Sequence, residues 1–203
     1  MINIKKFFAL LLTISTLLCL VACGSASNNG KAGSSSTATY EDALKNYEAM
    51  LNGEADIIEA MAPKSFWEWA KSYCEENGMV YDMDAAKANF KIDHQEMISS
   101  SEAEVGANAK ISLSINNAVQ FSDEQLASAA ASLNLTFSIS ESTVQEAVLL
   151  DCTATMVGDD DRQEVDNQFV AIRIDGNWYI AHYDEYDGQI ECPFVVVSVI
   201  HFD

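Results

Sequence analysis

The chain has 203 residues, of which 11 are Lys or Arg and 31 are Asp or Glu, so its formal net charge is −20 at neutral pH. A surface this acidic repels the phosphates of nucleic acids, and we therefore predict no nucleic-acid partner. None of the five cysteines and three histidines falls at the spacing of a zinc site. The sequence thus predicts neither a metal site nor a cofactor.

The N-terminal segment predicts export and a lipid anchor. Two lysines within residues 1–6 are followed by an apolar stretch over residues 7–18, an order typical of a secretory signal peptide and too short to span a bilayer. The segment ends in LVAC at residues 20–23, which resembles the lipobox of bacterial lipoproteins. The resemblance implies that residues 1–22 are removed and that Cys23 becomes an acylated N-terminus. The alternative is an ordinary secreted protein with a chance cysteine.

The residues after the lipobox predict a flexible tether. Residues 24–39 contain three Gly, five Ser and a single charge, Lys31, and such a coil reaches roughly 20–25 Å. Each buried CH₂ of an acyl chain contributes about 0.8 kcal/mol, so two chains hold a protein stably on a bilayer. Loss of the signal leaves 9 Lys or Arg against 31 Asp or Glu, a net charge of −22. We expect a lipid-anchored protein on the extracytoplasmic face of the cell membrane, with the bilayer as a partner through the acylated Cys23.

Residues 40–203 predict a single domain that begins with helices. Apolar residues recur at helical spacing over 40–51, with a capping box at Thr39 and Asp42. Shorter helical segments are predicted over 56–62 and 84–89. Between them a third helix begins at Pro63 and has a predicted buried stripe of Phe66, Trp67, Ala70, Tyr73 and Cys74.

The period then changes from helical to two, which predicts strands. Alternating apolar residues over 90–98 and 109–121, separated by a Gly-Ala-Asn turn, predict a long hairpin. Ser122 caps a predicted alanine-rich helix over 123–133. Further strands are predicted over 144–157, 164–175, 178–183 and 191–200, with turns at 158–161 and 175–177.

Helices followed by hairpins predict an α+β fold with helices packed on one face of a curved antiparallel sheet. The segments ALKNYEAMLNGEADIIEAM, EVGANAKISLSI and FVAIRIDGNWYI resemble the nuclear-transport-factor-2-like fold over about residues 40–183. That resemblance implies a cone with an interior pocket. The chain departs from the family pattern at 122–143 and after Tyr183, where extra residues would cover or reshape the pocket.

Strand alternation predicts the lining of such a pocket. His94 and Glu96 fall on the apolar face of the predicted strand 90–98, and His182 falls on the face of Trp178. A histidine and a carboxylate in one apolar cavity can exchange protons. The alternative is that these residues lie at strand ends or in satisfied hydrogen bonds. The resembled family includes isomerases, dehydratases and non-catalytic binding domains. Its isomerase set matches no positions here, so no catalytic residue is assigned.

Other chemically active residues have structural explanations. Cys74, Cys152 and Cys192 allow one disulfide with one thiol left over, or three free buried thiols. The acidic runs at 159–161 and 184–188 lie at predicted turns and lack the alternating carboxylates of a calcium loop. Of the tryptophans at 67 and 69, core packing explains Trp67 better, whereas Trp69 faces either the sheet or solvent.

These features predict a non-catalytic, membrane-anchored module that binds a small molecule or an envelope protein partner. The alternative is a small lyase or isomerase that uses His94 and Glu96 in a cone-shaped pocket.

Overall fold

The computed structural model describes residues 38–182. The predicted signal peptide, Cys23, most of the predicted tether, the acidic run 184–188, Cys192 and the strand predicted at 191–200 lie outside the described residues. The helices are α1 Tyr40–Leu51, α2 Lys64–Glu76, α3 Met83–Val105 and α4 Asp123–Phe137, with 3₁₀ segments at Ala55–Met61 and Glu141–Thr143. The strands are β1 Lys110–Gln120, β2 Val144–Val157, β3 Arg162–Ile174 and β4 Asn177–His182, which form an antiparallel sheet in the order β1-β2-β3-β4. The predicted α+β class is confirmed.

The first helices begin and end where the sequence predicts. At the start of α1 the Asp42 amide donates to Oγ1 of Thr39 over 3.2 Å. Both α1 and α2 end in an Asn-Gly pair whose glycine has a positive φ, +94° at Gly53 and +72° at Gly78. The predicted buried stripe of α2 needs one correction, because Tyr73 is 48 % exposed and lies outside the core. No helix within residues 38–182 is long and apolar enough to cross a bilayer.

The first strand of the predicted hairpin, 90–98, is wrong, because residues 83–105 form the single helix α3, whereas the strand predicted over 109–121 is present as β1. Asp82 caps this helix by accepting hydrogen bonds from the amides of Asp84 and Ala85. The residues that α3 buries are four apart at each end of the helix, as a helical face requires. They are Ala86, Phe90, Ser101 and Val105.

Helices cover both faces of the sheet at the second half of β3, which differs from the predicted one-sided packing, whereas most of β1 and the first half of β3 are exposed or half-buried. The run Phe169-Val170-Ala171-Ile172 in β3 is buried throughout, so successive side chains enter apolar clusters on opposite faces of the sheet. Residues of α1 and α3 complete the cluster that contains Phe169, and residues of α2 and α4 complete the one that contains Ile172. A continuous apolar strand is expected when both faces are buried.

At one end of the sheet the α3–β1 loop and the β2–β3 turn interlock. The amides of Asp160 and Asp161 both donate to the carbonyl of Val105 over 3.0 Å. A Cβ on Gly106 would lie 2.7 Å from Asp160 Oδ2, and one on Gly158 would lie 2.4 Å from the Val105 carbonyl oxygen. The acidic run 159–161 therefore has a structural role: it is the part of the β2–β3 turn that bonds the α3–β1 loop.

The end of α1 is fastened to the edge strand β1 by side chains. The Ile111 amide donates to Asn52 Oδ1 over 3.0 Å, and Asn52 Nδ2 donates to the Ile111 carbonyl over 2.7 Å. The Leu113 amide donates to Glu48 Oε2 over 2.7 Å. These side chains satisfy backbone groups on the side of β1 that faces away from β2.

We predict that Asn52→Ala lowers the free energy of unfolding by about 2 kcal/mol or more, because both backbone groups of Ile111 lose their partner. Asn77 is a matched control: its Nδ2 bonds the Tyr73 carbonyl four residues back over 2.8 Å, as Asn52 Nδ2 bonds Glu48, but Asn77 is exposed. Asn77→Ala should therefore cost only about 0.5–1 kcal/mol. Urea unfolding measures both, and equal losses would contradict the anchoring of β1 by Asn52.

Candidate functional site

His94 packs against the C-terminal end of α1. Its Nε2 donates to the Leu51 carbonyl over 3.0 Å, and its ring centroid lies 5.8 Å from that of Phe90. A Cβ on Gly53 would lie only 2.6 Å from Cε1 of the same ring. His94 is therefore a half-buried contact between α1 and α3, with its Nε2 already hydrogen-bonded.

The other predicted pocket residues lie in different surroundings. Glu96 is exposed on α3, and residues two apart on a helix do not face each other, so it does not join His94. Trp178 is buried in β4, with its ring centroid 5.6 Å from that of Tyr40 in an edge-to-face contact. The backbone of His182 lies opposite Phe169 at the end of β4.

Aromatic side chains fill the space between α1 and the sheet. The rings of Tyr47 and Phe169 meet edge to face at 5.3 Å, and Tyr47 is only 8 % exposed. Burial raises the pKa of the Tyr47 hydroxyl above its ordinary value. The space between α1 and this face of the sheet is thus occupied by the protein's own core.

Two open depressions lie on the surface of the described residues. One, between α1 and β1, has a volume of about 190 Å³ and is lined by Glu41, Leu44, Lys45, Glu48, Leu113 and Ile115. The other, here called the α2 depression, has a volume of about 410 Å³ and is lined by Ser65, Glu68, Trp69, Ser72, Tyr73, Glu76 and Ser138. Ligand pockets usually measure about 300–1,000 Å³, so the α2 depression is the better candidate.

The α2 depression contains a pair of stacked aromatic rings. Trp69 and Tyr73 lie four residues apart, on one face of α2, and their rings stack at 5.5 Å with an interplanar angle of 28°. Trp69 is held from behind by Phe137 of α4, whose ring meets it edge to face at 4.8 Å. The exposed Tyr73 ring therefore rests on a tryptophan that the core fixes in place.

Polar groups surround this pair of rings. Ser65 Oγ is buried and has no hydrogen-bond partner in the described part of the chain. Glu68 forms a 3.0 Å ion pair with Lys64, and Glu76 lies two turns further along the same helix face. The sequence shows the helical spacing of Trp69, Tyr73 and the two glutamates. It does not show that the Ser65 hydroxyl lacks a hydrogen-bond partner, because this depends on tertiary packing.

The buried thiols are poor nucleophiles at neutral pH. Cys74 and Cys152 are free and buried. Burial raises the pKa of Cys74, and burial together with the nearby Asp151 carboxylate raises the pKa of Cys152 to about 11. The thiolate, which is the reactive form, is therefore scarce at both residues. Among residues 38–182, no three His, Cys, Asp or Glu side chains are grouped so as to hold a metal ion.

We predict that Gly53→Ala and Gly78→Ala differ in cost because of His94. Both glycines have a positive φ, so each alanine costs roughly 1–2 kcal/mol of backbone strain. A Cβ on Gly78 meets nothing within 4 Å, whereas one on Gly53 meets the His94 ring. Gly53→Ala should therefore cost about 1 kcal/mol more, and His94→Ala in that background should recover the difference.

Urea unfolding of the single and double variants measures this coupling. Equal costs at the two glycines, or no coupling between Gly53 and His94, would mean that the imidazole does not pack against the end of α1.

Comparison with known proteins yields no relative: no protein-family model, curated protein or solved structure matches this chain. Function must therefore be inferred from the chemistry and geometry of the chain itself.

Proposed function

We propose that this chain is a lipid-anchored extracytoplasmic protein whose folded domain acts by binding a small molecule or an envelope protein partner, without catalysis. The observation that carries the proposal is the filled interior. The aromatic contacts of Tyr47 with Phe169 and of Tyr40 with Trp178 occupy the region in which a cone would enclose a substrate. A ligand would then bind at the outer surface, where the α2 depression has a larger volume than the depression between α1 and β1.

The N-terminal features support the cellular location in this proposal. The LVAC sequence supplies Cys23 for acylation, and the Gly/Ser-rich residues after it supply a tether of roughly 20–25 Å. The mature charge of −22 would hold the domain away from anionic lipid headgroups. Such a domain samples ligands near the membrane surface while its acyl chains keep it there.

A nuclear-transport-factor-2-like cone is part of the same proposal. The order of helices and antiparallel strands fits that architecture, although helices cover both faces of this sheet. The enzymatic alternative, a lyase or isomerase that uses His94 and Glu96, receives less support. The imidazole is engaged by the Leu51 carbonyl, and the carboxylate lies exposed on another side of α3.

Replacement of Cys23 tests the anchor. We expect Cys23→Ala to move the protein from the membrane fraction to the soluble fraction, because the acyl chains are lost. Cys19→Ala is the matched control, since that cysteine belongs to the segment predicted to be removed. Cell fractionation followed by mass measurement of the N-terminal peptide gives the result. Unchanged membrane association of Cys23→Ala would contradict the lipobox.

Thermal unfolding in the presence of a metabolite library tests the binding role. A ligand at a hundred times its dissociation constant should stabilise the folded chain by about 2.7 kcal/mol, and the compound should be recovered unchanged. Conversion of a stabilising compound into product would favour the enzymatic alternative. If no compound raises the melting temperature and no envelope protein binds the purified chain, the proposal fails.

A further inference from the structure

Strand β4 stands at one end of the sheet that the described residues form. It pairs with β3 over residues 177–182 and comes last in the order β1-β2-β3-β4. We propose that the edge of β4 that faces away from β3, here called the outer edge, docks residues 191–200 of the same chain as a further antiparallel strand. This inference is independent of the proposed ligand-binding function.

The register of the β3–β4 hairpin directs the backbone of Ile180 toward the outer edge. The turn consists of Asp175 and Gly176, with φ of +50° and +82°, and Ile174 pairs with Asn177. The residues that flank a two-residue turn form a hydrogen-bonded pair, and such pairs alternate with non-hydrogen-bonded pairs along an antiparallel ladder. Ile180 therefore belongs to a non-hydrogen-bonded pair, and its amide and carbonyl point away from β3.

Burial denies these backbone groups access to water. Ile180 is only 1 % exposed, and residues 178–181 are buried on both faces of the sheet. Buried backbone amides and carbonyls require hydrogen-bond partners. Sheet edges that face solvent usually carry charged side chains, and residues 178–181 have none. The outer edge of β4 therefore has the properties of an interior strand, which needs a neighbour on each side.

The opposite edge of the sheet, at β1, suits an apolar strand less well. Side chains of α1 already bond the backbone there, because Asn52 holds the amide and carbonyl of Ile111 and Glu48 accepts from the Leu113 amide. The following residues 116–120 are exposed on both faces. An apolar strand beside them would leave its own side chains in water, which costs hydrophobic free energy.

The sequence of the proposed occupant fits a strand with two buried faces. Residues 193–200 read PFVVVSVI, and Val, Ile and Phe favour strands. A continuous apolar run, rather than an alternating one, is expected where helices cover both sides of a sheet. Pro193 stands at the beginning of the run, where a strand tolerates the missing amide.

The connection along the chain is long enough for this pairing. β4 ends at His182, and residues 183–190 separate it from the proposed strand. They include the turn-forming pair Asp187-Gly188. Neighbouring strands lie about 4.8 Å apart, so these residues can reverse the direction of the chain without a crossover. The segment that follows β4 in sequence can thus become its neighbour in the sheet.

Nuclear Overhauser contacts in the full chain, labelled with ¹³C and ¹⁵N in non-ionic detergent, test the pairing directly. The backbones of Tyr179 and Ala181 belong to hydrogen-bonded pairs with β3, so their Hα atoms point to the outer edge. We expect Hα–Hα contacts between Tyr179 or Ala181 and residues 194–200, since such contacts arise only between paired antiparallel strands.

Amide hydrogen exchange measures the contribution of the segment. Val196→Pro should make the Ile180 amide exchange roughly tenfold faster or more, because a proline in the new strand disrupts its ladder. The Ile111 amide, which donates to Asn52 Oδ1 at the opposite edge, is the internal reference and should keep its rate. Glu185→Pro is the matched control: it places the same residue in the connection, and the Ile180 amide should keep its protection.

The inference is overturned if residues 194–200 show no contact with β4, or if they contact Ala118 or Gln120 of β1 instead. Contacts that appear only between differently labelled chains in a mixture would overturn it too, because a second copy would then supply the strand. An Ile180 amide that exchanges at the same rate in Val196→Pro and in the unaltered chain would likewise contradict it. All of these results leave the thermal test of ligand binding unaffected.

Discussion

The structure depends on the burial of both faces of the antiparallel sheet. In β3 the side chains of Phe169 and Ala171 point into one apolar cluster, and those of Val170 and Ile172 point into the other. Because neither set can face water without a large loss of hydrophobic free energy, the helices must form a layer on each side. The positions of α1, α2, α3 and α4 follow from this requirement.

Burial on both sides also limits where a ligand can bind. The volume between α1 and the sheet is filled by Tyr47, Phe169 and Trp178, and native cores are close-packed with few voids. Polar and aromatic groups free to meet a ligand therefore lie on the outer surfaces of the helices and along the exposed edge strand β1. Helix α2 buries Phe66 and presents Tyr73 to solvent. A ligand at such an outer surface would meet the domain without opening its core.

The sequence predicted those elements whose local signals agreed with their packing. Thr39 caps α1 and an Asn-Gly pair ends both α1 and α2, while long apolar strands matched β2 and β3. Helix α3 was missed because Phe90, Ile92 and Ile98 alternate like a strand over nine residues. Ile92 is in fact 60 % exposed, so its apolar character carried no information about burial. A short apolar run does not by itself distinguish the helical period of 3.6 residues from the strand period of two.

The candidate site was harder to predict for a different reason. The sequence does not decide whether Trp69 faces the sheet or solvent, and it predicts Tyr73 in the core, because the margin of a buried helical stripe is not visible in a sequence. Whether a tyrosine at the margin of a stripe is buried depends on the neighbouring helix. Here Phe137 of α4 packs on Trp69 and leaves Tyr73 outside. The orphaned oxygen of Ser65 is likewise set by tertiary packing.

The interlocked junction at the end of the sheet determines where this domain can accept added sequence. Val105 and Asp160 are joined through their backbones, and Gly106 and Gly158 allow the approach because neither has a Cβ. An insertion in the α3–β1 loop or in the β2–β3 turn would break the hydrogen bonds between them, because the amides of the turn donate to the carbonyls of the loop. Loop grafts and internal tags are better tolerated at the α2–α3 turn, where Gly78 is exposed and a Cβ on it meets nothing within 4 Å. The same junction joins residues more than 50 apart in sequence, so it closes late in folding if local contacts form first.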